Sequence, residues 1–292
     1  MIDLIVDALA RRGESALWCG ASSALHWTDI EGATLSPWHA RDGSVRVWVT
    51  PERVGSFALC ANPAQLLLGL ASGTAVFNLE REVMTPIVPV EAGHGSTRFN
   101  DGRCDQQGRF VFGTFNPAHA PLGRFYRVHA DLSVETDPLP AVAVANSIAF
   151  SPDGMRMYFA DSPTRVIYCV DCPADGRLGV PGEVVRLGAH DGHPDGSPVD
   201  ADGGLRNAQW DGTCLVRYSA DGIQTDRLTL PTQRQTCSAF GGTNLDRLFV
   251  STGRIGLDER ILRQQGCAGG VFALSPGRRG QPEHRFATSL RA

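Results

Sequence analysis

No stretch of this 292-residue chain approaches the roughly 18 consecutive apolar residues that a membrane helix needs. The opening MIDLIVDALARR is too short and too interrupted by Asp to serve as a secretory signal, so a cytoplasmic address is expected. Charge of one sign is also scarce. A net charge of -4 and a pI near 6.1 argue against nucleic acid or an anionic membrane as the main partner. Long amphipathic helical periodicity is absent. So is the G-x-S-x-G turn of a serine nucleophile, and the Gly-rich GHGS at 93–96 is followed by neither Lys nor a helix start. Eight cysteines (Cys19, Cys60, Cys104, Cys169, Cys172, Cys214, Cys237 and Cys267) are scattered along the chain. Only Cys169 and Cys172 form a C-x-x-C, with no second pair at zinc spacing. They read as strand-end residues, and a chain this long needs no disulfide staples.

What is present is a repeat. Short apolar stretches alternate with Gly, Pro and Asp turns from end to end, with 33 Gly and 18 Pro, which indicates an all-β protein. One strand recurs six times: ALHWTDIEG from Ala24, LLLGLASG from Leu66, RFVFGTFN from Arg109, RMYFADSP from Arg156, GLRNAQWDG from Gly204 and RLFVSTGR from Arg247. The steps run from about 42 to 48 residues, the period of four-stranded propeller blades. A second strand is expected after each, beginning near Ser44, Ala75, Gly123, Val166, Cys214 and Gly270. Asp/Gly turns at 105–108, 151–154 and 200–203 precede three of the recurring strands. Six repeats account for nearly all of residues 1–292, so one six-bladed β-propeller domain with four-stranded blades is expected. The spare strand at residues 2–6 would close the ring by pairing with residues 284–288, which removes an exposed edge.

The innermost strand of each blade lines the central channel. Counting back nine or ten residues from each recurring strand reaches Glu14, Ser56, Asn100, Asn146, Asp195 and Cys237. Two carboxylates facing each other in a narrow channel are costly unless they share a cation. Glu14, Asn146 and Asp195 offer only oxygen, which suits hard divalent ions and still admits zinc. Each of these residues alone could equally cap a turn. On spacing and composition, an enzyme and a cation-dependent binding module remain level.

At these residues the sequence resembles the SMP-30/gluconolactonase/regucalcin family of six-bladed, metal-dependent sugar lactonases. The resemblance spans about 13–252 and rests on GESALW at 13–18, HWTDIEG at 26–32, RFNDGRCDQQGRFVFGT at 98–114, ANSIAFSPDGMRMYFADS at 145–162, PDGSPVDADG at 194–203 and CSAFGGTNLDRLFVST at 237–252. It implies Glu14, Asn146 and Asp195 as ligands of one divalent ion (calcium, manganese, magnesium, zinc or iron). It also implies Arg98 and Asn100 as substrate contacts, with Asp101 beside them. Its substrates are sugar-acid lactones, and HWTDIEG and PERVGSFALC are most similar to members acting on 1,4-lactones such as arabinono- or galactono-lactone. Three departures stand out. Arg206 occupies the place of a common Trp, N-S-I at 146–148 replaces the usual N-G-L, and FNPAHAPLGR at 115–124 lacks an acid that contacts substrate. Asn116 or His119 is the candidate for that place.

Lactone opening needs a polarised carbonyl, a water nucleophile and a proton route to the ring oxygen. The resemblance makes Asp195 both ligand and general base, and Arg98 a partner for substrate oxygen or oxyanion. His193 in DGHPDG could shuttle a proton but reads as an exposed loop residue, and His94 and His26 carry no stronger signal. The competing readings are a propeller esterase or organophosphatase and a non-catalytic calcium-binding propeller. The sequence does not specify an oligomeric state.

Overall fold

Central strands such as LLLGL are apolar on both faces because each is covered on both sides, by the blade before it and the blade after it. The computed structural model, which describes residues 1–91 and 96–288, shows how. Six four-stranded antiparallel sheets follow one another along the chain. Their inner strands are Gly13–Cys19, Val54–Leu59, Arg98–Cys104, Ala145–Phe150, His193–Pro194 and Gln235–Gly241. Each recurring apolar strand is the second of its blade: Ala24–Asp29, Gln65–Leu70, Phe110–Phe115, Arg156–Asp161, Leu205–Trp210 and Arg247–Thr252. The protein is a six-bladed β-propeller. The regular helices among the described residues are a 3-10 turn at Ser162–Thr164 and an α-helix at Glu259–Gln264, and no helix is long and apolar enough to cross a membrane.

The core is divided among the blade interfaces. Leu17, Leu35 and Trp48 of the first blade pack with Phe57, Leu68 and Phe77 of the second. The second and third meet through Leu67, Val76, Phe99, Phe110 and Phe112. Equivalent clusters join each later pair, and Trp18, Trp27 and Trp38 meet Phe249 and Val271 where the sixth blade meets the first. Burial of these aromatic and branched side chains, roughly 1.5–3 kcal/mol each, holds the ring together. The three Asp/Gly turns form as their composition indicates. Gly108, Gly154 and Gly203 take φ of 74°, 69° and 81°, and the Asp105 and Asp200 carboxylates accept backbone N–H bonds across their turns.

Three expectations are corrected. Ile2–Val6 does close the last blade as its outer strand, but it pairs with Val271–Leu274 rather than with residues 284–288. The latter belong to a C-terminal segment that crosses the end of the ring where the inner strands finish. There Gly280 N–H donates to Leu245, Glu283 faces Arg103 at 3.6 Å, Arg285 donates to the Cys60 carbonyl, and Ala287 N–H donates to Gly108. In the first blade the third strand is Thr34–His39, not the stretch from Ser44. Pro37 hides that strand from a propensity reading. It lacks a donor, and the strand beyond it is only Trp48–Val49. Cys169 is not a strand-end residue: it lies inside the strand Val166–Asp171, paired with Tyr158 and Gly182, while Cys172 follows that strand's end and all eight cysteines are free.

Candidate active site

The inner strands begin on one face of the ring, and five of the six carry a break in register at or near that start. The breaks lie between Glu14 and Leu17, Val54 and Ser56, Phe99 and Gly102, Asn146 and Ala149, and Gln235 and Cys237. Such bulges re-aim side chains near the end of a strand. Ser15 and Ser147, which follow Glu14 and Asn146, take left-handed φ of 51° and 57°. Ser147 is the middle residue of the N-S-I at 146–148, and its hydroxyl secures the strained backbone. It donates to the Asp195 carbonyl at 2.6 Å and lies 3.1 Å from the Asn207 side-chain amide.

The result is a cavity of about 420 Å³ lined by polar and aromatic residues from several blades. Glu14, Asn100, Asn146 and Asp195, each picked out from the sequence, all line it. Asn100 donates to the Asn146 side-chain carbonyl at 2.9 Å, and Asn146 donates to Ser162 Oγ at 2.8 Å. Ser162 in turn donates to the Pro194 carbonyl, so the two asparagines are oriented by a hydrogen-bonded chain ending beside Asp195. An amide oxygen has two lone pairs, and Asn146 Oδ1 spends one on Asn100.

The carboxylates are held at odds with their charge. Burial raises the Asp195 pKa well above the usual carboxylate range, and the charges of Glu14 and Asp101 raise it further against Arg12. Burial pushes Glu14 to about 8, with Arg12 and Arg98 opposing and Asp101 adding. Two carboxylates that resist ionisation beside an oriented amide oxygen form an oxygen-only donor set suited to a hard divalent cation. Among the described residues no three His, Cys, Asp or Glu side chains converge as a metal cluster, so such a site depends on the Asn146 oxygen as third donor.

Arg98 and Asp101 do not line the cavity. Arg98 is buried, lies over the Phe115 ring at 4.6 Å and donates to the Phe99 carbonyl. It also reaches Asn100 Oδ1 at 3.4 Å, so it orients Asn100 from behind. The bulge turns Asp101 into the channel, where its oxygens accept the Gly102 and Ile148 N–H groups rather than holding Arg98. Asn116 is occupied in capping its own turn, whereas His119 reaches the cavity wall. His193 is not on an exposed loop. It sits in a short strand on the wall, with Nδ1 3.1 Å from the Ser162 carbonyl oxygen and Nε2 3.4 Å from Arg165. His26 is a buried core residue, and His94 lies outside the described residues. Arg12, Phe115, Ser162, Trp210 and Asp211 complete much of the wall without having been singled out from the sequence. Trp210 and Asp211 lie in the strand-end WDG of the fifth repeat, where the repeat itself could have flagged them.

Comparison with known proteins bears on the same surface. The model of the SMP-30/Gluconolactonase/LRE-like region matches residues 12–254, which hold every inner strand. The chain belongs to this family. Similar curated relatives of this SMP-30/gluconolactonase-like protein include an L-arabinolactonase of Azospirillum brasilense, 46% identical over 99% of the chain and 96% of the relative. A 6-deoxy-6-sulfogluconolactonase of Pseudomonas putida is 33% identical over 94% of each. Among solved structures, a calcium-binding regucalcin of Agrobacterium tumefaciens superposes with a TM-score of 0.92 at 27% identity, covering 97% of this chain and 96% of that one.

Proposed function

We propose that this lactonase opens an aldono-1,4-lactone, of the arabinono or galactono type, to the aldonic acid with the help of one divalent ion. The observation that carries this reading is the 46% identity to an L-arabinolactonase along nearly the whole chain. The cavity supplies the chemistry. Its volume of about 420 Å³ accommodates a five-membered sugar lactone with space left for water, and Phe115 and Trp210 offer apolar walls for the ring faces.

Glu14, Asn146 and Asp195 would hold the ion, which when bound supplies Lewis-acid polarisation of the lactone carbonyl. Asn100, whose two N–H bonds go to the Ala145 carbonyl and to Asn146, has its side-chain oxygen left to accept from a sugar hydroxyl. Asp195 accepts the proton of the attacking water at its carboxylate, a role suited to a carboxyl whose surroundings make it basic. The same proton is then available to the departing ring oxygen. His119, on the cavity wall, donates to or accepts from a substrate hydroxyl.

The test is an acid-release assay over a panel of aldonolactones, with and without chelator. Preference for the pentono- and hexono-1,4-lactones, lost on chelation and restored by added calcium or manganese, supports the reading. Hydrolysis unaffected by chelation removes the ion. Turnover confined to aryl esters or phosphotriesters favours the esterase alternative, and ion binding without turnover favours a calcium-binding propeller.

A further inference from the structure

One cation faces the cavity without a partner. Arg12 lines the wall two residues before Glu14. Among the described residues its side chain makes no ion pair, and its Nε is buried with no hydrogen-bond acceptor. Yet the guanidinium is fixed in place. It lies 5.5 Å from the centroid of the Trp210 ring, which Arg234 also overlies at 4.8 Å. Arg234 is itself anchored, donating from Nε to Asp211 at 2.7 Å. The backbone of Arg12 is tied as well, since its N–H donates to Asp29 at 2.9 Å. Arginine stacked on an aromatic ring retains its in-plane donors for a ligand. The charge of Arg12 also counts among those that lower the pKa of both Glu14 and Asp195, so it acts within range of both carboxylates. Arg98, the arginine indicated by the sequence, already spends donors on Phe99 and Asn100 and sits behind the wall.

We propose that Arg12 is a further catalytic residue, binding the negative charge that develops on the lactone carbonyl oxygen and then the carboxylate of the opened acid. This rests on the lactonase reading above. Water oxygen bonds to the carbonyl carbon, and the carbonyl electron pair moves onto its oxygen, which becomes anionic beside Arg12. The carbon–ring oxygen bond then breaks, and the ring oxygen leaves as an alcohol carrying the proton removed from the water. The acid formed loses its own proton to solvent, and the carboxylate remains on the guanidinium until it departs. A neutral lactone gains less from this cation than the oxyanion or the carboxylate does, so Arg12 distinguishes the transition state and product from substrate.

The test uses Arg12→Gln and Arg12→Lys in the ion-loaded enzyme, with arabinono-1,4-lactone as substrate and sodium arabinonate as product. Arg12→Gln is expected to lower kcat by 10²-fold or more with KM changed only a few-fold. It should also weaken product inhibition at least tenfold, while ion affinity stays near wild type. Arg12→Lys restores part of kcat, because an ammonium keeps the charge but not the fork geometry. Unchanged kcat and unchanged product inhibition in Arg12→Gln overturn the proposal. So does equal loss in both variants accompanied by loss of ion binding, which marks a structural role. If the wild-type enzyme opens no aldonolactone, the lactonase reading itself fails. Direct calorimetry of arabinonate on wild type and Arg12→Gln still decides whether Arg12 binds a carboxylate.

Discussion

Replacing Glu14 with Gln should have opposite effects on stability with and without a divalent ion. Burial raises the Glu14 pKa from 4.5 to about 8, with Asp101 adding to the shift. The folded chain without an ion thus binds this proton more tightly than the unfolded chain does. Stability is fully present below pH 4.5 and is lost as pH rises toward 8, the reverse of an ordinary salt-bridged carboxylate. At pH 7 the unfolded carboxyl is ionised and the folded one largely is not. The gap of two to three pH units above 4.5 corresponds to about 3 kcal/mol of lost stability. Gln keeps the size and polarity but has no charge to suppress. Glu14→Gln should therefore raise the stability of the chelated protein at pH 7 by up to about 3 kcal/mol, and by less than about 1 kcal/mol at pH 5. With excess calcium or manganese the sign reverses, because an anionic ligand has been lost and the ion's contribution to stability falls with its affinity. Urea unfolding of both proteins, chelated and loaded, at the two pH values measures all of this. A Glu14→Gln protein that is less stable in chelator, or shifted in the same direction under both conditions, would refute the reasoning.

Asp195→Asn keeps an oxygen donor but no base, and should cut kcat by about 10²–10⁴-fold and weaken ion binding, read by steady-state kinetics with metal titration. Ser147→Ala removes the hydroxyl that secures the Asp195 carbonyl and places Ala at a φ of 57°, so unfolding free energy should drop by about 1–3 kcal/mol in denaturant titrations. His26 is held neutral, chiefly by burial and then by the charges of His39 and Arg285, with its pKa lowered from 6.5 to about 4. Its stability contribution is present above pH 6.5 and is lost as pH falls toward 4. Ion-loaded wild type should thus lose about 2 kcal/mol more than His26→Leu between pH 7.5 and pH 5. Equal losses in the two proteins would show that His26 does not control the acid limb.

The blade count was legible because the second strand of every blade is buried between neighbours, and that burial writes one apolar stretch per repeat. Glu14, Asn100, Asn146 and Asp195 were legible because inner-strand starts keep a fixed distance from those stretches. The register breaks were not legible. Whether a strand carries an extra residue depends on local backbone geometry, and Ser15 and Ser147 are not residues that announce a positive φ. The bulge at Phe99–Gly102 likewise takes Asp101 away from the cavity although it directly follows Asn100. The Arg12–Trp210–Arg234 stack escaped for another reason. Its members lie far apart in sequence, and only ring closure brings them together. The partner of Ile2–Val6 was misjudged because residues 284–288 follow the last recurring strand at a plausible distance, and spacing alone does not show that they leave the sheet and cross the ring instead.

The segment that crosses the ring beyond Gly280 changes the molecule from a tube into a cup. Glu283 sits against Arg103 at one end of the inner strand whose start carries Asn100, so the segment spans the end opposite the cavity. Among the described residues, the cavity side is then the open end. Lactone would enter and acid leave through that opening, and the proposed ion would exchange there too. Acid that lingers there would delay the next turnover and also slow escape of the proposed ion beneath it.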